Sequence, residues 1–394
     1  MTMKHNWEYK RLGDLCNFIG GGTPSKSNED YFNGNIPWAT VRDMLSFQLS
    51  DTELHITSDA VNNSATNILP KGMIIISTHV GLGKICELMQ ETAINQDLKG
   101  ISFFDNSVDK YFFVYWYRSI ANYIISKGRG ATVKGVTLDF MRSLQIPVPP
   151  MEVQKQIVEE LDKINEIIED CRELLRNLDV LAQSLFYDLF GDPISNPKGF
   201  KLKKLGEIDE ISSAKRVLVQ DVVDKGIPFI RGTELACLSK QNSFDPSVFT
   251  MFITPEHYEI VKSITGVPKP HDLLIPSINA DGYIWEINTP EPLYFKDGRV
   301  LWVHVNHGVH SSKWLKFALS KIIKEKYANL SRGAVFAELT LVFLRNLDII
   351  VPPLSLQGKF ATQVEQIEVQ KKTVEEMIAN LQVLLDSRMD YWFN

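Results

Sequence analysis

Two stretches of the chain carry one unbroken hydrophobic pattern. From Met151 to Phe190 there is neither Pro nor Gly. Ile157, Leu161, Ile164, Ile168, Cys171, Leu175, Leu178, Ala182, Leu185 and Leu189 recur there at alternating spacings of four and three. Such a seam predicts a long helix burying one stripe against a partner. The second stretch, 354–394, places Phe360, Val364, Ile367, Lys371, Val374, Ile378, Leu381 and Leu385 on the same spacing, with one Lys in the seam. At 1.5 Å per residue, such a helix of about 40 residues would span about 60 Å. Each helix could lie along its own domain or pair with the other. The same heptad period in both favours pairing. A pseudo-twofold relation between them would make the pair antiparallel, with a globular domain at either end.

The remaining segments read differently. Short β-branched runs bounded by Gly, Pro, Asn and Asp predict strands at Ile36–Val41, Met73–Ser77, Asp272–Ser277, Tyr283–Ile287 and Val300–Val305. Late in each segment an aromatic-rich helix is expected, over Lys110–Ala131 and Lys313–Ala334, ending near a Gly. These are mixed α/β (α+β) domains. The two segments are also copies. "RGATVKGVTLDFMRSLQIPVPP" (Arg129–Pro150) is written again, 203 residues on, as "RGAVFAELTLVFLRNLDIIVPP" (Arg332–Pro353), with 12 of 22 positions identical. "WEYKRLGDL" (Trp7–Leu15) returns as "FKLKKLGEI" (Phe200–Ile208). A repeat of this length fixes the architecture before any finer reading. It divides the chain into a domain at 1–150, a helix at 151–190, a linker and second domain at 191–353, and a second helix at 354–394. Each Pro-Pro stops what precedes it and starts the helix that follows.

Net charge is −6, which alone argues against a polyanionic partner. Its distribution changes that reading. The first helix carries −6 and the second −2, whereas 1–150 is neutral and 191–353 is +2. The acidity sits on the helices, and the domains remain free to present a nucleic-acid face. The four cysteines are scattered and form no CxxC pair, so neither a zinc site nor a disulfide framework is expected. No apolar run reaches the roughly 20 residues of a membrane helix. The first residues, "MTMKHNWEYKRLG", do not resemble a signal peptide. A cytoplasmic protein is expected.

Domain, Pro-Pro, long helix, then the same again: this order resembles the specificity subunits of type I restriction–modification systems. The most specific marks are "LQIPVPPMEVQKQIVEELDKI" (Leu144–Ile164) and "LDIIVPPLSLQGKFATQVEQI" (Leu347–Ile367), each opening its helix with Pro-Pro-apolar-x-x-Gln. "GDPISNPKGF" resembles the usual join between halves, and "GGGTPSKSNEDYFNGNIPWATVRDM" a common first-domain opening. The second copy departs there, reading "SSAKRVL" (Ser212–Leu218), where Arg216 supplies a cation. The resemblance implies that each domain reads one half of a split double-stranded DNA site. It implies that the helices set the gap and dock two modification subunits, which carry S-adenosylmethionine and methylate adenine. A restriction subunit using ATP and Mg joins them. This chain itself would hold no cofactor or metal.

The residues themselves agree with a non-catalytic chain. There is no Gly-x4-Gly-Lys phosphate loop, and "GLGK" (Gly81–Lys84) is too short for a dinucleotide fingerprint. "HVNHGVH" spaces His304, His307 and His310 three apart, but a strand end and a helix start would separate them. DNA reading needs Arg, Lys, Asn, Gln, Ser or Thr on exposed loops. The first domain offers Thr23, Ser25 and Lys26 in a Gly-rich loop, Thr40 and Arg42 after a strand, and Ser77, Thr78 and Lys84 after the next. The second offers Arg231 and Thr233, then Ser277 and Asn279, at like places. Arg129 and Arg332 lie in the echoed stretch, which suits a shared phosphate or structural contact. Thr132 and Lys134 face Val335 and Ala337 in the alignment, so they could touch one half-site only. For every one of these residues a plain surface or structural role stays open. Two rival functions remain open as well: a coiled-coil scaffold whose domains bind protein or glycan, and a methylation complex with no nuclease.

Overall fold

The computed structural model describes residues 7–130, 135–242, 244–330 and 337–393. They form two compact units, Met1–Arg172 with Glu376–Asn394, and Glu173–Glu375.

Unit 1 contains strands β1 (Glu8–Arg11), β2 (Cys16–Gly20), β3 (Ile36–Ala39), β4 (Gln48–Leu49), β5 (His55–Ile56), β6 (Asn67–Leu69), β7 (Ile74–Ser77), β8 (Ile85–Leu88), β9 (Thr92–Ile94), β10 (Leu98–Phe103) and β11 (Gln145–Val148). Its helices are α1 (Leu12–Leu15), α2 (Ser58–Asn62), α3 (Lys110–Ser119), α4 (Ala121–Lys127), α5 (Leu138–Ser143) and the start of α6 (Met151–Phe190). The main sheet has the order β2-β10-β7-β8-β4, a second has β5-β3-β9-β6, and β1 pairs with β11. Every residue of β7 and β8 is buried, Glu87 among them in an ion pair with Lys110, so these strands do not alternate between buried and exposed positions. Helix α3 is capped by Asp109, whose carboxylate accepts from the Tyr111 and Phe112 N–H groups. Phe112 through Tyr117 are all buried, which makes α3 a core helix rather than an amphipathic surface one.

Unit 2 repeats the plan with β12 (Lys201–Lys204), β13 (Glu210–Ser213), β14 (Val222–Val223), β15 (Ile227–Ile230), β16 (Phe252–Ile253), β17 (Leu273–Pro276), β18 (Trp285–Glu286), β19 (Tyr294–Phe295), β20 (Val300–His304) and β21 (Asp348–Val351). Its helices are α7 (Gly232–Gln241), α8 (Pro255–Thr265), α9 (Ser312–Leu330), α10 (Leu341–Arg345) and most of α11 (Leu354–Phe393). The order β13-β20-β17-β18 matches β2-β10-β7-β8, and β12-β21 matches β1-β11. β15 pairs antiparallel with β16 and parallel with β19, as β3 does with β5 and β9. The single aromatic helix expected in each copy is one helix in unit 2, but in unit 1 it breaks at Ile120 into α3 and α4.

The Pro-Pro junctions are fixed by a buried glutamine. Gln154 has no exposed surface; its Oε1 accepts from the Asp109 N–H at 2.7 Å, and its Nε2 donates to the Ser107 and Pro149 carbonyls at 2.8 and 2.9 Å. Gln357 is equally buried and repeats the arrangement with the Ser311 N–H at 2.9 Å and the Val309 and Pro352 carbonyls at 3.0 and 2.9 Å. Each amide therefore ties its long helix to the start of the aromatic helix of the same copy. A buried polar side chain is tolerated because both its donors and its acceptor are used.

The boundary between the units falls inside α6 and α11, so each unit holds a segment of both. Within each unit the two segments run antiparallel. In unit 1, Glu160 meets Arg388 and Cys171 lies 3.6 Å from Met377; in unit 2, Lys371 donates to Asp179 at 2.6 Å and Phe186 packs on Phe360. Ile157, Leu161, Ile164 and Ile168 are buried with Leu385, and Ile378 and Leu381 are partly buried beside them. Leu178 and Ala182 are buried with Ile367; Val364 and Phe360 join the core of unit 2, and Val374 is buried as well. Leu175 is half-buried. The heptad reading fails at the end of α6. Leu185 and Leu189 are only partly buried, while Phe186 and Phe190 are 3% and 0% exposed. Buried positions there step by four, from Leu178 through Ala182 and Phe186 to Phe190. Each step of four advances the stripe about 40° around the helix, so that it faces an aromatic core formed by Phe360 of the partner helix together with Trp314 and Phe317 of α9.

Candidate nucleic-acid interface

In unit 1 five loops are joined edge to edge by hydrogen bonds. The Gly-rich loop after β2 docks through the Gly22 N–H on the Ile94 carbonyl at 3.0 Å, and Thr23 bonds to Gln96. The Asn95 N–H reaches back to Ala39 at 3.0 Å, beside the Thr40–Asp43 turn. The Lys84 ammonium, on the β7–β8 loop, donates to the Val41 and Met44 carbonyls of the next segment at 3.3 and 3.1 Å. Thr78 donates its N–H to the Asp97 carbonyl and accepts the Val136 N–H, both at 2.9 Å. Arg129 and Gly135 exchange two backbone bonds of 2.9 Å, and a Cβ on Gly135 would lie 2.7 Å from the His79 ring. These bonds hold together, at the strand ends, loops that are distant in sequence.

Unit 2 assembles the corresponding loops. The Lys215 N–H donates to the Tyr294 hydroxyl at 2.7 Å, Lys296 N–H to the Ile230 carbonyl at 2.9 Å, and Gly298 N–H to Ser213 Oγ at 3.1 Å. The Ser277 N–H donates to Arg299, and the Ser277 carbonyl accepts from Leu339 at 2.7 Å. Val136 and Leu339 are 203 residues apart, the offset of the echoed stretch. The same backbone bond therefore anchors Thr78 in unit 1 and Ser277 in unit 2.

Known proteins match this arrangement. A family model described as the type I restriction modification DNA specificity domain matches residues 4–176. The MjaIX type I specificity subunit of Methanocaldococcus jannaschii is 23% identical over 387 residues, which is 92% of this chain and 87% of that one. Residues 4–176 thus match the type I DNA specificity domain, and the chain is similar to type I specificity subunits over nearly its whole length. The EcoR124I/EcoR124II specificity subunit of Escherichia coli is 32% identical over 173 residues, 42% of this chain and 43% of its own. Among solved structures, the S subunit from M. genitalium aligns over 100% of this chain and 98% of its own with a TM-score of 0.53 and 16% identity. A chain from a study of complex assembly and conformational transition in the type I R-M system aligns over 98% and 97%, with a TM-score of 0.64 and 18% identity. Both share the fold.

Within this scaffold the residues expected to face DNA fall into three groups. Lys26, Arg42, Arg129 and Arg216 are exposed, and their side chains form no hydrogen bond or ion pair with the described residues. Ser25 is exposed and shares a 2.7 Å bond with Ser27. These five can meet a ligand without breaking anything costly. A second group is partly occupied by its own loop. Thr23 holds Gln96, Lys84 holds two carbonyls, and Thr40 donates to Asp43 at 2.8 Å. Arg231 is paired with the buried Glu234 and donates to Thr250 at 3.1 Å; Thr233 donates to the same carboxylate at 2.9 Å. Burial would push the Glu234 carboxyl up, but the hydrogen bonds from Arg231 and Thr233 outweigh it and hold it below the usual range.

The third group corrects the sequence reading. Ser77 and Thr78 are 0% and 1% exposed, and Ser277 and Asn279 are each 1%. Their side chains are turned inward: Ser77 donates to the Val80 carbonyl, Thr78 to the Asp97 carbonyl, and Asn279 to the Tyr283 carbonyl. They build the loops and are not free to read a base. Thr132, Lys134 and Arg332 lie outside the described residues.

Several exposed residues on these loops had escaped the sequence reading. Gln96, His79, Lys296 and Arg299 are exposed on the same loops, Arg299 in an ion pair with Glu338. Lys99 lies beneath the 95–97 turn; its ammonium donates to the Gln96 and Leu98 carbonyls at 2.5 and 3.0 Å, and burial pulls its pKa down against the opposing pull of Asp97. The turn-forming "KDGR" at 296–299 was the one visible signal, a Gly turn flanked by two cations. Two of the three clustered histidines have partners of their own. His304 in β20 bonds to Ser212 at 2.8 Å, while fully buried His310 pairs with Asp209 at 2.8 Å. No group of three metal-ligating side chains is found among the described residues. No helix among them is long and apolar enough to cross a membrane.

Proposed function

We propose that this chain is the DNA-reading subunit of a type I restriction–modification complex, each unit recognising one half of a bipartite site in double-stranded DNA. The observation that carries the reading is the duplicated loop surface: one set of backbone anchors, presented twice, with different exposed side chains. A duplicated frame with unlike tips suits a split site whose halves differ in sequence. Exposed Arg, Lys, Gln and His side chains supply the groups that meet base edges and phosphates. Helices α6 and α11 set the gap between half-sites and dock two modification subunits. Those subunits supply S-adenosylmethionine and the methylation chemistry, and a restriction subunit supplies ATP and Mg-dependent cleavage. The chain itself performs recognition without catalysis.

The test is to assemble the complex with its methyltransferase partners, map the methylated bases, and titrate binding to that site against salt. Methylation at one bipartite sequence, with affinity falling steeply as salt rises, is the expected result. Binding that ignores DNA sequence would overturn the reading and favour a protein-binding scaffold.

A further inference from the structure

We propose that His79 and Ile278 are the equivalent base-reading positions of the two units, His79 by hydrogen bonding to a base edge and Ile278 by apolar contact with a thymine methyl group. The inference rests on the DNA-reading function proposed above and assigns to it two residues that neither the sequence pattern nor the family match singles out.

The equivalence comes from register. In unit 1, Ile74 pairs with Glu87 across β7–β8; in unit 2, Leu273 pairs with Glu286 across β17–β18. Both pairs are displaced by the same 199 residues, which places Thr78 over Ser277 and His79 over Ile278. The anchors agree, since the Thr78 and Ser277 carbonyls accept from the repeat-related Val136 and Leu339. The same offset matches Gly83 with Gly282, both at positive φ, +85° and +75°. Both are also crowded: a Cβ on Gly83 would meet Ala121, and one on Gly282 would meet the Ser320 carbonyl. Both loops are thus pinned at their start by a buried hydroxyl residue and at their end by a left-handed glycine.

Between those pins the side chains diverge. The His79 side chain is 48% exposed, and its only polar neighbours among the described residues are weak ones, Thr78 Oγ1 at 3.3 Å and Asp97 at 3.8 Å. Ile278 is 51% exposed although Ser277 before it and Asn279 after it are buried. An isolated exposed apolar residue is ordinary on a protein surface. This one is different in its support: Asn279 grips both the N–H and the carbonyl of Tyr283, at 2.6 and 2.8 Å, so the tip is held rigid. Rigid presentation removes the ordering cost that a mobile loop would pay on binding. An imidazole offers a donor or an acceptor to a purine edge. A branched aliphatic chain has only one attractive partner in the major groove, the thymine C5-methyl.

The experiment uses the complete complex with its methyltransferase partners and duplexes carrying the mapped site. Each thymine is replaced singly by deoxyuridine, which removes only the methyl. At one thymine of one half-site the wild type should bind about fourfold more weakly, the worth of one buried methyl group. Ile278→Ala should bind thymine and deoxyuridine there equally, and Ile278→Val should restore the difference. His79→Ala should relax base preference at one position of the other half-site, by about fivefold for a single hydrogen bond. Neither substitution should lower the melting temperature, since both side chains face solvent. The proposal is overturned if no thymine is methyl-sensitive, if Ile278→Ala keeps the wild-type sensitivity, or if both responsive positions fall in one half-site. Wild-type binding with no sequence preference would instead remove the DNA-reading function itself.

Discussion

The connection after β3 and its counterpart after β15 start from the same place in the repeated sheet and end differently. After β3 the chain closes into a short turn, in which Asp43 accepts from the Thr40 N–H and hydroxyl, and Arg42 is left exposed. After β15 it opens a ten-residue helix, α7, and Arg231 folds back onto Glu234. A Thr and an Arg stand at both places in the sequence, yet only one Arg is available. Similar residues on a common frame are therefore not equivalent in function; what decides is whether a buried partner claims them first.

The comparison can be broken most forcefully at its common part. Gln154→Ala and Gln357→Ala each strand one buried N–H and two carbonyls, and each should cost about 3 kcal/mol of stability. Urea unfolding would measure this, and a large loss in one variant only would show that the two junctions are not the same device. Next in size is the contrast between the arginines. Arg42→Ala should cost about 2 kcal/mol of DNA affinity with an unchanged melting temperature. Arg231→Ala should instead lower the melting temperature, because the Glu234 carboxylate is left buried without its cation. Equal behaviour of the two would erase the distinction drawn above. Asn279→Ala should then cost about 1 kcal/mol of stability through the loss of its two loop bonds. The adjacent Ile278→Ala should cost almost none.

The smallest effect is one of pH. Arg388 beside Glu160 holds that carboxyl below its usual range, with Trp392 donating to the same group at 3.1 Å. A depressed carboxylate contributes stability that is complete above the unfolded value near 4.5 and is lost as pH falls through the folded value. Both partners are about one-third exposed, at 34% and 31%, so solvent screening keeps the contribution below about 1 kcal/mol. Glu160→Gln should flatten the stability profile slightly below that pH, as followed by thermal melts.

Much of the architecture was legible in the chain. The long helices announced themselves by period, the first also by the absence of Pro and Gly, and the repeat by its echo. The seam was misread where Phe186 and Phe190 replace Leu185 and Leu189, because period alone does not say where a domain core joins the partner helix. The loops were legible as places but not as contacts. Ser77, Thr78 and Asn279 carry the right chemistry for reading DNA, and that chemistry is what makes them good loop anchors; Ser277 is buried and anchors its loop through its backbone. A short hydroxyl or amide that can bond its own backbone does so before any ligand arrives. His79 and Ile278 are left facing outward.

The central claim is that the two units read separate halves of one site. The most direct measurement replaces residues 1–150 by those of a relative with a different specificity, assembles the methylating complex, and maps the modified sequence. The account requires a change confined to one half-site, with the other half and the gap retained. A change in both halves, or in neither, would contradict it.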